Sequence, residues 1–109
     1  MIESSEWRNF LSGFSDRNSG RRARFEAFTT DGVAEEDEEA AFQNVTIDGT
    51  RAVIDRVNTH GKLISDTVED VRGISIQYDS DDSENTMEFA DSNGNMTVLH
   101  FESMVDGES

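Results

Sequence analysis

Cysteine and proline are both absent from the chain, and lysine occurs once, at Lys62. Without cysteine there can be no disulfide, no thiolate zinc site and no nucleophilic thiol. Without proline no strand or helix is ended by a missing N–H, so the turns must be made by Gly, Asn and Asp. No apolar run approaches the roughly 20 residues that a membrane-spanning helix requires. The opening residues, Met1-Ile2-Glu3-Ser4-Ser5-Glu6, show neither the basic nor the apolar stretch of a secretory signal. These absences point to a cytoplasmic protein with no membrane partner.

What the chain has in excess is negative charge: 24 Asp and Glu stand against 9 Lys and Arg, for a formal net charge of -15. Such a surface repels polyanions, so nucleic acid is not an expected partner either. Abundant carboxylate with almost no lysine is also the composition of proteins that work in molar salt. An ordinary acidic protein is the other reading, and composition leaves both open. At 109 residues the chain fits one domain, 1–109, with a core that needs neither disulfides nor metal.

Trp7, Phe10, Leu11 and Phe14 fall at i, i+3, i+4 and i+7, one stripe of a helix expected over about residues 6–17. Ser4 or Ser5 can cap it, and Asn18-Ser19-Gly20 ends it. Gly13 inside it costs about 1 kcal/mol relative to alanine, so this helix depends on docking.

From residue 22 to 102 the pattern is β. Arg22–Thr30 alternates around Ala23, Phe25 and Ala27. The tract Glu35-Glu36-Asp37-Glu38-Glu39 reads as a solvated loop following Asp31-Gly32. Phe42–Ile47 and Arg51–Val57 flank Asp48-Gly49, a hairpin signal. Asn58-Thr59-His60-Gly61 leads into Leu63–Val68, and Gly73 precedes the alternating Ile74–Tyr78. The polar run Asp79–Asn85 connects to Met87-Glu88-Phe89, and Asp91-Ser92-Asn93-Gly94 turns into Met96–Glu102. That last strand is apolar on both sides, which places it centrally or beneath the helix. The expectation is an α+β fold, in which the helix packs on an antiparallel meander of six or seven short strands that form a roll or small barrel. Its core should contain Trp7, Phe10, Leu11, Phe14, Phe25, Ile47, Ile54, Ile76, Phe89, Leu99 and Phe101. Residues 103–109 read as an acidic flexible tail.

Chemistry-bearing motifs are few. Arg17, Arg21, Arg22 and Arg24 gather around Gly20 and could bind an anion or phosphate through guanidinium forks. They could equally balance a helix C-terminus and the acidic tract. Asp79-Ser80-Asp81-Asp82-Ser83-Glu84 fails as a calcium loop, because Glu84 stands where the glycine belongs and Ala90 where the glutamate belongs. His60 and His100 lack ligand spacing, and no phosphate loop, dinucleotide fingerprint or nucleophile elbow occurs. No catalytic, cofactor or metal residues are therefore expected.

Taken in order, Ser4-Ser5-Glu6-Trp7, Gly20-Arg21-Arg22, Phe42-Gln43-Asn44-Val45-Thr46-Ile47-Asp48, Asp70-Val71-Arg72-Gly73-Ile74 and Asp91-Ser92-Asn93-Gly94-Asn95-Met96-Thr97-Val98-Leu99 resemble a family of short bacterial domains of unknown function. The resemblance implies an N-terminal helix carrying a Trp, then a β-rich body, and no established activity; the acidic tract departs from that pattern. The functional expectation is a non-enzymatic domain for protein or small-ligand binding, salt-adapted if the charge bias reflects its medium. The alternatives are a small enzyme using surface carboxylates, or an anion-binding module built on the four arginines.

The charge bias makes one prediction. Raising sodium chloride from about 0.1 M to 1 M shortens the Debye length from roughly 10 Å to 3 Å and screens most carboxylate repulsion in the folded state. Thermal melts should rise, with most of the gain below about 0.5 M and little advantage for sodium sulfate at matched ionic strength. A melting temperature flat in sodium chloride would show that the repulsion does not load the fold.

Overall fold

The computed structural model describes residues 2–28, 34–80 and 83–101, with backbone alone for 34–39. The expected Asp31-Gly32 turn and the acidic tail 103–109 lie outside the described residues. A turn of 3-10 helix, Ser4–Glu6, leads into α1, Trp7–Asn18. Seven strands follow: β1 Arg22–Phe28, β2 Ala34–Asp48, β3 Arg51–Val57, β4 Leu63–Val68, β5 Val71–Tyr78, β6 Glu84–Asp91 and β7 Met96–Phe101. They make one antiparallel sheet in the order β4-β3-β2-β1-β7-β6-β5, with β7 in its middle. The fold is α+β, one helix on a seven-stranded antiparallel sheet.

A barrel is not formed. β4 and β5 are consecutive in the chain yet lie at opposite edges of the sheet, joined only by Glu69 and Asp70. So short a link forces the sheet to curl until its edges approach at that point, where the Val71 N–H donates to the Thr50 carbonyl at 2.8 Å. Asp70 turns the chain there with φ 57, and its carboxylate is held by the Ser92 hydroxyl and the Arg72 guanidinium. Beyond this point the edges are not paired with each other. The outer edge of β5 instead receives the N-terminal segment, the Ile2 N–H donating to the Ile74 carbonyl at 2.9 Å, and α1 occupies the concave side.

The acidic tract, expected as a loop, continues the backbone of β2. Residues 34–40 pair with β1, whereas pairing of β2 with β3 begins at Ala41. Among the described residues that stretch has no β3 partner on its second edge, and an unpaired edge is where charged residues are tolerated in a strand. The β2–β3 hairpin turns as the spacing predicts, through Gly49 at φ 63, a conformation that favours glycine.

The helix docks through the expected stripe. Trp7, Leu11 and Phe14 are buried and Phe10 half-buried. Phe14 stands edge-on to Phe42 of β2 at 5.8 Å and to Phe101 of β7 at 5.5 Å, and those two rings meet at 5.2 Å. Such contacts add about 0.5–1.5 kcal/mol each beyond the area they bury. Buried Ser15 donates to the Leu11 carbonyl at 2.8 Å and accepts the Val45 N–H at 3.0 Å, which ties α1 to β2 by its backbone. No serine side chain caps the start. The Trp7 indole N–H reaches back to the Ile2 carbonyl at 3.0 Å. At the other end Asn18 Nδ2 donates to the Phe14 carbonyl at 3.0 Å, one of the carbonyls that a helix terminus leaves open.

Of the other expected core residues, Ile54, Phe89, Leu99 and Phe101 are buried, while Phe25, Ile47 and Ile76 are half-buried against the same cluster. Ala23, Phe42, Val45, Ala52, Val68, Val71, Ile74 and Met87 complete it. The concave side also holds a charge. Arg56 is 0% exposed, with Nη2 3.1 Å from Asp66 Oδ2, Nη1 donating to the Ala23 carbonyl at 3.2 Å, and its guanidinium 5.6 Å from the Phe25 ring. Among the described residues no helix is long and apolar enough to cross a membrane.

Candidate functional site

The four clustered arginines part company in the structure. Ala23 and Phe25 face the core, so Arg22 and Arg24, alternating with them on β1, lie on the opposite, convex face. There Arg24 is paired in register with His100 of β7, and the His100 ring meets the Glu26 carboxylate. Arg17 and Arg21 stay on the helix side and converge on Glu84, the first residue of β6.

Glu84 lies 67 residues from Arg17 in the chain, yet the two form a forked pair. Arg17 Nε is 3.1 Å from Oε1 and Nη2 is 2.7 Å from Oε2. Asn18 Nδ2 donates to Oε1 at 2.9 Å. Arg21 Nη1 donates to the Glu84 backbone carbonyl at 2.6 Å and to Asn18 Oδ1 at 2.8 Å, and its guanidinium lies 4.9 Å from the Phe101 ring. The network thus joins the last turn of α1 to the start of β6 and to the aromatic cluster below.

Burial alone would push the Glu84 carboxyl up. The hydrogen bonds from Arg17 and Asn18, with the charges of Arg17 and Arg21, outweigh it and hold the carboxyl below its ordinary value. The same hydrogen bond raises Arg17 further.

Above this network is a cleft of about 440 Å³, lined by Phe10, Arg17, Asn18, Arg21, Tyr78, Ser83 and Glu84. The volume falls within the range of small-molecule sites. Tyr78, at the end of the edge strand β5, is 59% exposed, and Phe10 lies 5.6 Å from the Arg17 guanidinium. Gly13 lies against the Arg17 guanidinium: a β-carbon there would stand 2.9 Å from Arg17 Nη1. Glycine in the middle of a helix is unfavourable, and here it leaves room for a guanidinium. A second groove, along α1 and β2, is lined by one cation, Arg8, and one carboxylate, Asp48.

The cleft can bind, orient and neutralise a ligand. Among the described residues its one lining carboxylate, Glu84, accepts from Arg17 and Asn18 and is held below its ordinary value. Among the described residues no three His, Asp or Glu side chains are grouped to hold a metal, and Asp81 and Asp82 of the acidic 79–84 loop lie outside them. The Arg17 and Arg21 contribution follows from the sequence, whereas Glu84 and Tyr78 do not, because no local pattern links positions so far apart, and Asn18 reads in sequence only as part of the helix stop. Gly13 did carry a signal, standing four residues before Arg17 on one helix face.

Compared with family models, characterised proteins and solved structures, the chain matches none of them. The resemblance to bacterial domains of unknown function therefore rests on its short motifs alone.

The depressed carboxyl makes a prediction of definite sign. A carboxyl lowered in the folded state contributes stability that is fully present above its unfolded value, near 4.5, and is lost as pH falls through the folded value. Glu84→Gln should cost about 1 kcal/mol at neutral pH, the scale of a partly exposed charged pair. In urea denaturation at fixed high salt, the gap to wild type should hold constant through neutral pH and close below pH 4.5. A gap that stays constant into acid would mean that Glu84 is not stabilised in its ionised form.

Proposed function

We propose that this chain is a non-enzymatic binding domain, cytoplasmic and suited to concentrated salt, that holds its ligand in the cleft between α1 and the β5–β6 connection. The observation that carries this reading is the fixing of Arg17. Its side chain is 51% exposed, yet two hydrogen bonds from one fork hold it in a single geometry over a half-open, partly aromatic cleft. Free surface arginines sample many rotamers and lose that freedom on binding. A guanidinium already immobilised by its own protein avoids that loss when a ligand arrives.

The anion-binding reading of the arginine cluster narrows accordingly from four residues to Arg17 and Arg21. Net repulsion of polyanions argues for a small ligand or a limited group on a partner, and against nucleic acid.

Amide and side-chain NMR tests the reading with a panel of small probes, anionic, neutral and cationic, each at millimolar concentration. Saturable shifts confined to Phe10, Arg17, Asn18, Arg21, Tyr78 and Ser83 are expected from at least one probe, and should vanish in Arg17→Ala. Shifts scattered over the surface, or concentrated along Arg8 and Asp48, would remove this cleft as the site.

A further inference from the structure

The chemistry of the Arg17 fork narrows the ligand, given that the cleft is the binding site. A guanidinium presents two flat pairs of donors to a carboxylate, Nε with Nη2 and Nη1 with Nη2. Glu84 occupies the first pair, at 3.1 and 2.7 Å. Nη1 makes no hydrogen bond among the described residues, and it lies over Gly13, where a β-carbon would stand 2.9 Å away. The second pair is thus positioned by the protein and unused by any of the described residues.

From this the geometry points to a ligand that carries one carboxylate joined to a flat ring: the carboxylate completes the second fork of Arg17 and the ring lies against Tyr78 and Phe10. A planar anion fits a planar fork, which separates carboxylate from a compact cation or a neutral group. Single charge matters as much as shape. Asp16 is within electrostatic reach of Arg17, and the whole chain carries -15. A doubly charged phosphate would meet that field with twice the penalty of a carboxylate. The ring accounts for Tyr78, an aromatic left 59% exposed beside a half-buried Phe10. Offset stacking on those rings contributes where a polar chain would gain nothing.

Gly13→Ala supplies the decisive variant. Alanine is the better helix former, and Gly13 is not in the left-handed region, which offsets a disturbed Arg17–Glu84 pair, so the fold should melt close to wild type. The added methyl must displace Nη1, which is the flexible end of the Arg17 side chain, and disturb the free fork.

The experiment is an NMR titration of the whole chain in high salt with phenylacetate, acetate, benzyl alcohol and inorganic phosphate. Phenylacetate should bind in the cleft about tenfold more tightly than any of the other three, the scale of one well-made polar or stacking contact. Gly13→Ala and Arg17→Lys should each weaken phenylacetate several-fold, and Gly13→Ala should do so with a melting temperature near that of wild type. Phosphate or benzyl alcohol binding there as well as phenylacetate would overturn the ligand class and leave the binding cleft standing. Binding of phenylacetate undiminished in Gly13→Ala would overturn the role of the second fork. If no probe of any kind bound in the cleft, this inference and the binding-domain reading would fall together.

Discussion

The contact on which the structure depends is the three-ring junction of Phe14, Phe42 and Phe101. One ring belongs to α1, one to β2 and one to β7, and each touches the other two at 5.2–5.8 Å. An isolated 12-residue helix with an internal glycine is not stable in water. The sheet, curled but unclosed, would in turn leave the apolar faces of β2 and β7 wet. Each half supplies the surface that the other needs. The cleft inherits its geometry from this junction, since Phe10, Arg17 and Asn18 are carried on α1 while Tyr78, Ser83 and Glu84 come from the sheet side.

Charge is disposed around that apolar centre in two ways. Arg56 and Asp66 form an ion pair at the edge of the core, with Arg56 fully buried. Apolar residues of similar volume would often serve stability as well or better, but Asp66 sits on the edge strand β4, where a charge pointing inward discourages pairing with a foreign strand. Across the chain as a whole the carboxylates are more than nine cations can balance. Concentrated salt relieves that imbalance.

Much of this was readable in the sequence because the signals were local. The Trp7 stripe, the Asp48-Gly49 hairpin and the central position of Met96–Phe101 each follow from spacing over a few residues. Burial of Arg56 was also encoded, since it alternates in step with Ala52 and Ile54, whose small and apolar side chains face inward. What was not readable is long-range. The link Glu69–Asp70 looks like any short hairpin connection, and nothing near it says that β4 and β5 close no ladder. The acidic tract was read as a loop because charge argues against burial, yet a strand with one open edge need not be buried. Glu84 looked like part of a polar connection. Its role depends on Arg17 and Asn18 being delivered by a helix packed from the far end of the chain.

Interdependence of helix and sheet is the central claim, and native-state hydrogen exchange tests it residue by residue. If the three-ring junction binds the two halves into one cooperative unit, the slowest amides of α1, around Phe14 and Ser15, should open only with the same free energy as the slowest amides of β2 and β7. Helix amides that exchange quickly while the sheet stays protected would contradict it, showing that the sheet holds its shape without α1.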